Sequence, residues 1–163
     1  MQNERAEKII LAYRDHIYRI AFSYVKNPYD ADDIVQIVSL KLLRYDGEFE
    51  SEEHIKRWLI RVTVNECRRL LTAPFFTRHV SLEDYAKTLS FPGYEHEELF
   101  LEVMKLPAKY RVVIHLFYYE ELSVREIAAA LNISETAVTS RLQRARKKMK
   151  QNLEVWEDGR TEI

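Results

Sequence analysis

At 163 residues, 47% of them hydrophobic and 31% charged, the chain has the composition of one globular domain or two small ones, not of a disordered polymer. Its formal net charge of −1 conceals blocks: residues 28–53 carry −6 and 81–103 carry −5, whereas 54–80 carry +5 and 104–150 carry +6, so separate surfaces are offered to phosphate and to basic partners. The single cysteine, Cys67, excludes an internal disulfide and a thiolate-rich zinc site, and it is expected as a small buried residue.

No apolar run approaches the ~20 residues that span a bilayer, and the polar start MQNERAEK lacks a signal-peptide pattern, so no membrane span and a cytoplasmic location are expected. Three glycines and four prolines are too few for a many-turned β fold, and nearly every segment has helical period. The expected fold is all-α: two small helical domains joined by a flexible linker, the C-terminal one a helix-turn-helix.

In chain order, Ile10, Tyr13, Ile17, Ile20 and Tyr24 make the apolar stripe of a first helix that ends before Asn27-Pro28. A second helix is predicted from near Asp30, with Asp30, Asp32 and Asp33 at the positive end of its dipole and Ile34, Val35, Val38 and Leu42 facing inward; Asp46-Gly47 closes it with a turn. The third, roughly residues 54–71, turns Ile55, Leu59 and Val62 to the core, and Lys56, Arg57, Arg61, Arg68 and Arg69 make the rest of its surface basic. Trp58, beside Leu59, reads as a core residue. From Thr72 to Pro92 periodicity fails, which marks the linker. A helix over 95–105 follows, then one opened by Pro107 at a first-turn position.

Residues 123–150, SVREIAAALNISETAVTSRLQRARKKMK, read as two capped helices around a tight turn. Ser123 and Glu126 have the spacing of a capping box, and Ser134 offers a second N-cap. Ala128 is small enough for helices to cross closely, Asn132 tolerates a left-handed turn, and Val138 can pack back on the first helix. Val138, Leu142, Ala145 and Met149 form a buried stripe. The opposite face holds Thr136, Thr139, Ser140, Gln143 and Lys147, which can reach base edges or phosphates, flanked by Arg141, Arg144, Arg146 and Lys148 as backbone clamps.

Together these segments resemble the extracytoplasmic-function (ECF) sigma factors of bacterial RNA polymerase over almost the whole chain. DADDIVQIVSLKLLR (residues 30–44) looks like region 2.2, HIKRWLIRVTVNECRRLL (54–71) like regions 2.3 and 2.4, and LPAKYRVVIHLFYYEELSVREIAAALNISETAVTSRLQRARKKM (106–149) like region 4. The ordered set D-x-D-D-x-V-Q, K-x-W-L-x-R and S-R-L-x-R-A-R is far more specific than a helix-turn-helix alone. The resemblance implies a region 2-like domain over 1–73, a linker over 74–93, a region 4-like domain over 94–155 and a tail over 156–163.

It implies further that the first half binds the clamp helices of the polymerase β′ subunit through Asp32, Asp33 and Gln36, and melts and reads the −10 element. Arg57, Arg61, Asn65, Arg68 and Arg69 are the residues expected there, with the loop 47–53 at the place where the family holds a flipped base. The second half would touch the β flap and read the −35 element through Thr136, Thr139, Ser140, Arg141, Gln143, Arg144 and Lys147. This chain has Ile37 where the family often has an acid and Thr139 where it often has a base, so Arg144 and Ser140 rank above Thr139 as readers. Promoter DNA, core polymerase and an anti-sigma factor are the partners implied, with the free chain a monomer and no cofactor.

Three other readings compete. A dimeric helix-turn-helix repressor needs a dimer helix, and none is evident. An enzyme finds no support in His16, His54, His79, His96 and His115, which lack metal-ligand spacing, so no catalytic or metal residue is expected. A protein-only adaptor would use Phe117, Tyr118 and Tyr119, whose helical spacing suits a core.

Overall fold

In a computed structural model, residues 3–72 and 97–152 are described; the expected linker over 74–93 and tail over 156–163 lie outside them. The chain divides into two units, residues 1–79 and 80–163. Among the described residues every regular element is helical.

The first unit packs α1 (Asn3–Val25), α2 (Pro28–Leu43) and α3 (Glu52–Leu71) against one another. Ile17, Ile20, Phe22 and Tyr24 of α1 are buried, while the earlier stripe positions Ile10 and Tyr13 are only half-buried. Lys26 takes a left-handed conformation (φ 54°), which reverses the chain. Asn27 then caps α2, its side-chain oxygen accepting from the Tyr29 and Asp30 amides at 2.9 and 3.2 Å, and Pro28 supplies a first-turn φ without an orphan N–H. The helix therefore begins at Pro28, ahead of the start expected near Asp30.

Ile34, Val38 and Leu42 are fully buried, and Val35 lies half-buried at the edge of the stripe. α3 also begins ahead of its expected start, because the Ser51 hydroxyl accepts from the His54 amide at 3.1 Å. Its buried face runs through Ile55, Leu59, Ile60, Val64 and Cys67. Val62, expected inward, is half-buried; Thr63 takes the interior by donating its hydroxyl to the Leu59 carbonyl at 2.6 Å.

The second unit contains α4 (Glu97–Lys105), α5 (Ala108–Ile114), α6 (Val124–Leu131) and α7 (Glu135–Asn152). Pro107 sits at the N-cap of α5 with extended backbone (φ −54°, ψ 147°), not inside the first turn. α5 runs on into a π-helical turn, His115–Tyr119, which sequence periodicity did not suggest. The wide turn brings the buried His115 Nε2 to 3.3 Å from Glu120 Oε1, and Glu121, at φ 56°, turns the chain toward α6. Val103, Met104, Val113, Leu116, Ile127, Leu131, Val138, Leu142 and Met149 fill the core, each worth about 1.5–3 kcal/mol against an exposed alternative. No helix among the described residues is long and apolar enough to cross a membrane.

Candidate nucleic-acid interface

Asp32, Asp33 and Gln36 are all exposed on α2. Since the helix starts at Pro28, only Asp30 lies in its first turn, and Asp30 is buried. The dipole acts within about the first turn, so it leaves Asp32 and Asp33 little role at the helix start. Tyr29, Ile37 and Leu40, exposed by 69%, 37% and 49%, extend the same surface and are the contribution that sequence reasoning missed. Their signal was present: each stands three or four residues from Asp33 or Gln36. Behind this face the Tyr18 hydroxyl is pushed up to about 12, first by burial and then by the Asp32 charge.

On α3, Arg57, Arg61 and Asn65 are exposed at steps of four, with Arg68 half-buried and Arg69 exposed beyond them. One side of the helix is therefore a cationic track with one amide, Asn65, set within it. Glu66 is buried and anchors two cations, pairing with Lys41 of α2 and lying 3.8 Å from Arg69, so Arg69 is partly committed within the fold.

At the other end of α3 lies an aromatic cluster. Tyr45 packs against Phe49 and Trp58 with centroids 4.9 and 5.0 Å apart, and Phe49 meets His54 edge-on at 5.1 Å. Trp58 is thus half-buried in the wall of the loop, not in the helical core. A Cβ at Gly47 would meet the far end of the Tyr45 ring, so any other residue there requires that ring to shift. The Glu50 amide donates to His54 Nδ1 at 3.1 Å and fixes the loop to the helix.

In the second unit, the capping box is closed in both directions: the Glu126 amide donates to Ser123 Oγ at 3.1 Å and the Ser123 amide to Glu126 Oε1 at 3.0 Å. Asn132 adopts the left-handed conformation (φ 56°, ψ 49°), and the Ile133 amide returns to the Ala128 carbonyl at 3.0 Å. Ser134 Oγ then accepts from the Ala137 amide at 3.0 Å, starting α7. Val138, Leu142, Ala145 and Met149 are all buried.

The outer face presents Thr136, Thr139, Gln143, Arg144 and Lys147, all exposed, with Ser140 and Arg141 half-buried beside them. Thr139 donates its hydroxyl to the Glu135 carbonyl at 3.0 Å, which leaves it an acceptor only. Arg146, expected as a backbone clamp, is partly committed within the fold: its Nε donates to the Tyr118 hydroxyl at 2.9 Å and its guanidinium lies 5.7 Å from both the Phe117 and Tyr118 rings. Phe117, Tyr118 and Tyr119 are half-buried, and the first two hold this cation.

Burial, then the Glu66 charge, pushes the Cys67 thiol far up, so it is a poor nucleophile. No group of His, Cys, Asp and Glu among the described residues could hold a metal ion. The arrangement can bind: one acidic-apolar face, one cationic face beside an aromatic loop, and one polar helix face on a capped turn.

Comparison with known proteins bears on both units. Residues 9–73 match the family model described as sigma-70 region 2, and residues 96–149 match sigma-70, region 4. RNA polymerase sigma factor SigV of Bacillus subtilis is 30% identical over 157 residues, covering 92% of this chain and 95% of the relative. ECF RNA polymerase sigma factor SigW of the same organism is 27% identical, with coverages of 89% and 87%. Among solved structures, CnrH in complex with the cytosolic domain of CnrY shares the fold at a TM-score of 0.65 and 24% identity, covering 94% of this chain and 90% of that one. The sigma factor RpoE of Bartonella quintana, crystallised with the anti-sigma factor NepR, also gives a TM-score of 0.65, at 20% identity, covering 94% of this chain and 96% of that one.

Proposed function

The chain belongs to the ECF group of bacterial RNA polymerase sigma factors, and from that premise we propose that it directs core polymerase to specific promoters and assists their melting without catalysing a reaction itself. The observation that carries this is the union of the region 2 and region 4 matches, in order, on one chain. A repressor has no use for the first of them, so the dimeric reading is not favoured.

The division of labour follows from the three faces. The α2 face, with Asp32, Asp33 and Gln36 among exposed Tyr29, Ile37 and Leu40, docks on the clamp helices of the β′ subunit: carboxylates and an amide suit a partner carrying basic side chains, and the apolar side chains supply area. Arg57, Arg61, Asn65, Arg68 and Arg69 track the single-stranded −10 element beside the aromatic loop. Thr136, Thr139, Ser140, Arg141, Gln143, Arg144 and Lys147 take the −35 duplex in the major groove, with the second unit resting on the β flap. The domains are taken as 1–73 and 94–155, joined by 74–93 and followed by the tail 156–163.

A near-zero net charge agrees with this assignment. A helix delivered by polymerase gains its effective concentration from tethering and can bind free duplex weakly, whereas a stand-alone reader needs a more basic chain. The free protein is a cytoplasmic monomer in this reading. It is held in check by an anti-sigma factor, as the complexes of its structural relatives suggest. Mixing the chain with core polymerase and a promoter pool should yield promoter-dependent transcripts absent with core alone; failure to bind core polymerase would refute the proposal.

A further inference from the structure

At the start of α3 two hydrogen bonds cross. The His54 amide donates to Ser51 Oγ at 3.1 Å, and the Glu50 amide donates to His54 Nδ1 at 3.1 Å. Ser51 is the N-cap and His54 the third helical residue, so the pair has the form of a capping box in which an imidazole takes the place of the usual carboxylate and reaches one residue further back. The chain closes its other box, Ser123 with Glu126, by a carboxylate. The His54 ring also meets Phe49 edge-on at 5.1 Å, and Phe49 in turn stacks on Tyr45 and meets Trp58 at 5.8 Å. Phe49 and Glu50 are neighbours in a stretch, residues 45–51, that belongs to no helix, so His54 grips this part of the loop through both its backbone and its buried ring.

An imidazole nitrogen accepts a backbone N–H only while it carries no proton, which places the proton of His54 on Nε2. A second proton, on Nδ1, sets two N–H groups against each other and abolishes the bond. We propose that His54 is the positioning residue of the −10 loop: neutral, it holds Phe49 and Glu50 in the conformation that receives the unpaired base, and protonated it releases them, so that promoter opening by this chain is gated by pH. The inference rests on the assignment of α3 and its loop to the −10 element. His54 acts through the loop and not by touching DNA. The charged and titratable groups around it are Tyr45, Glu48 and Glu50 of the loop, Glu52 and Glu53 of the first turn, Arg57 one turn along α3, and, from α1, the Tyr13 hydroxyl, which donates to Glu52 Oε2 at 3.0 Å.

The test follows the opening rate of a promoter duplex carrying 2-aminopurine in its −10 element, mixed with holoenzyme at about pH 8 and about pH 5.5, an interval across which histidines change charge. His54→Phe keeps a ring against Phe49 but removes the acceptor. It should open the promoter about two- to tenfold more slowly at about pH 8, the range set by one hydrogen bond, with the affinity for the −35 duplex unchanged. His54→Asn places an amide oxygen where Nδ1 stands and takes up no proton, so it should open at the wild-type rate at about pH 8. At about pH 5.5 the wild type should fall behind His54→Asn by the same two- to tenfold. Every other titrating group is present in both proteins, so their ratio isolates the imidazole.

The proposal is overturned if His54→Phe opens as fast as the wild type, if His54→Asn is as slow as His54→Phe, or if wild type and His54→Asn keep one ratio at both pH values. Nitrogen NMR of the free full-length chain provides a second measurement: Nδ1 of His54 should resonate as an unprotonated ring nitrogen at about pH 8, and a protonated one would refute the latch. Failure of the wild-type chain to bind core polymerase would instead overturn the sigma-factor role, and the NMR of the free chain would still judge the Glu50–His54 bond.

Discussion

Replacing Arg146 by Met should destabilise the second unit without touching DNA affinity. The side chain makes one charge-assisted hydrogen bond, Nε to the Tyr118 hydroxyl at 2.9 Å, and sits 5.7 Å from two ring centroids. A hydrogen bond to a charged group contributes about 1.5–3 kcal/mol and an exposed cation–π contact about 0.5–1 kcal/mol. Arg146 is only half-buried, so solvent competes for the guanidinium and the sum is discounted to about 1–2 kcal/mol. Met keeps most of the aliphatic stem, so the loss is confined to the polar end.

For a domain of 60–100 residues, 1 kcal/mol moves Tm by about 4–8 °C, which predicts a fall of about 5–15 °C in the transition of this unit by scanning calorimetry of the full chain. Tyr118→Phe removes the acceptor alone, and the double-mutant cycle should show a coupling of about 1 kcal/mol. The salt slope of DNA binding should stay at its wild-type value. Additive single variants, or a shallower slope with an unchanged Tm, would refute the reasoning and return Arg146 to the DNA.

Asn132 at φ 56° should tolerate glycine with no loss, whereas Asn132→Val should cost about 1–2 kcal/mol by thermal circular dichroism, since a β-branched residue clashes in the left-handed region. Leu40, 49% exposed, should be dispensable for stability but not for polymerase: Leu40→Ser is expected to weaken core binding about tenfold, or about 1.4 kcal/mol, with Tm nearly unchanged, and unchanged affinity would remove α2 from the interface. For Cys67 the folded-state pKa is raised above its ordinary 9.0, so the native chain keeps a proton that the unfolded chain releases. That stabilisation is fully present below pH 9 and is lost as pH rises further, by up to about 1.4 kcal/mol per pH unit. Urea titrations between pH 8 and 10 should show stability falling with pH, with Tyr13 and Tyr18 adding to the fall as the unfolded tyrosines ionise toward pH 10, and Cys67→Ala should remove the thiol's share.

Much of the fold is legible in the linear chain because its signals are local. A capping box joins Ser123 to Glu126, the turn at Asn132 depends on its own φ and on an amide reaching back to Ala128, and the stripe Val138, Leu142, Ala145, Met149 follows from a period of 3.6. The two early helix starts, at Pro28 and Glu52, are equally local, set by Asn27 and Ser51 as caps.

Charge by itself did not say where a cation points. Arg144, Arg146 and Lys148 look alike within one basic run, yet the packing of α5 and its π-helical turn against α7 puts Tyr118 under Arg146 and Tyr110 under Lys148. Asp32 and Asp33 carry two readings in the sequence, helix-start charges and a polymerase-facing pair; the helix start at Pro28 puts both beyond the first turn, and exposed Leu40 lies on the same helix. Helix propensity, caps and periodicity act over about four residues and so are written in the sequence; the partner of a long cationic side chain is set by whichever helix packs beside it, and that only the tertiary structure decided.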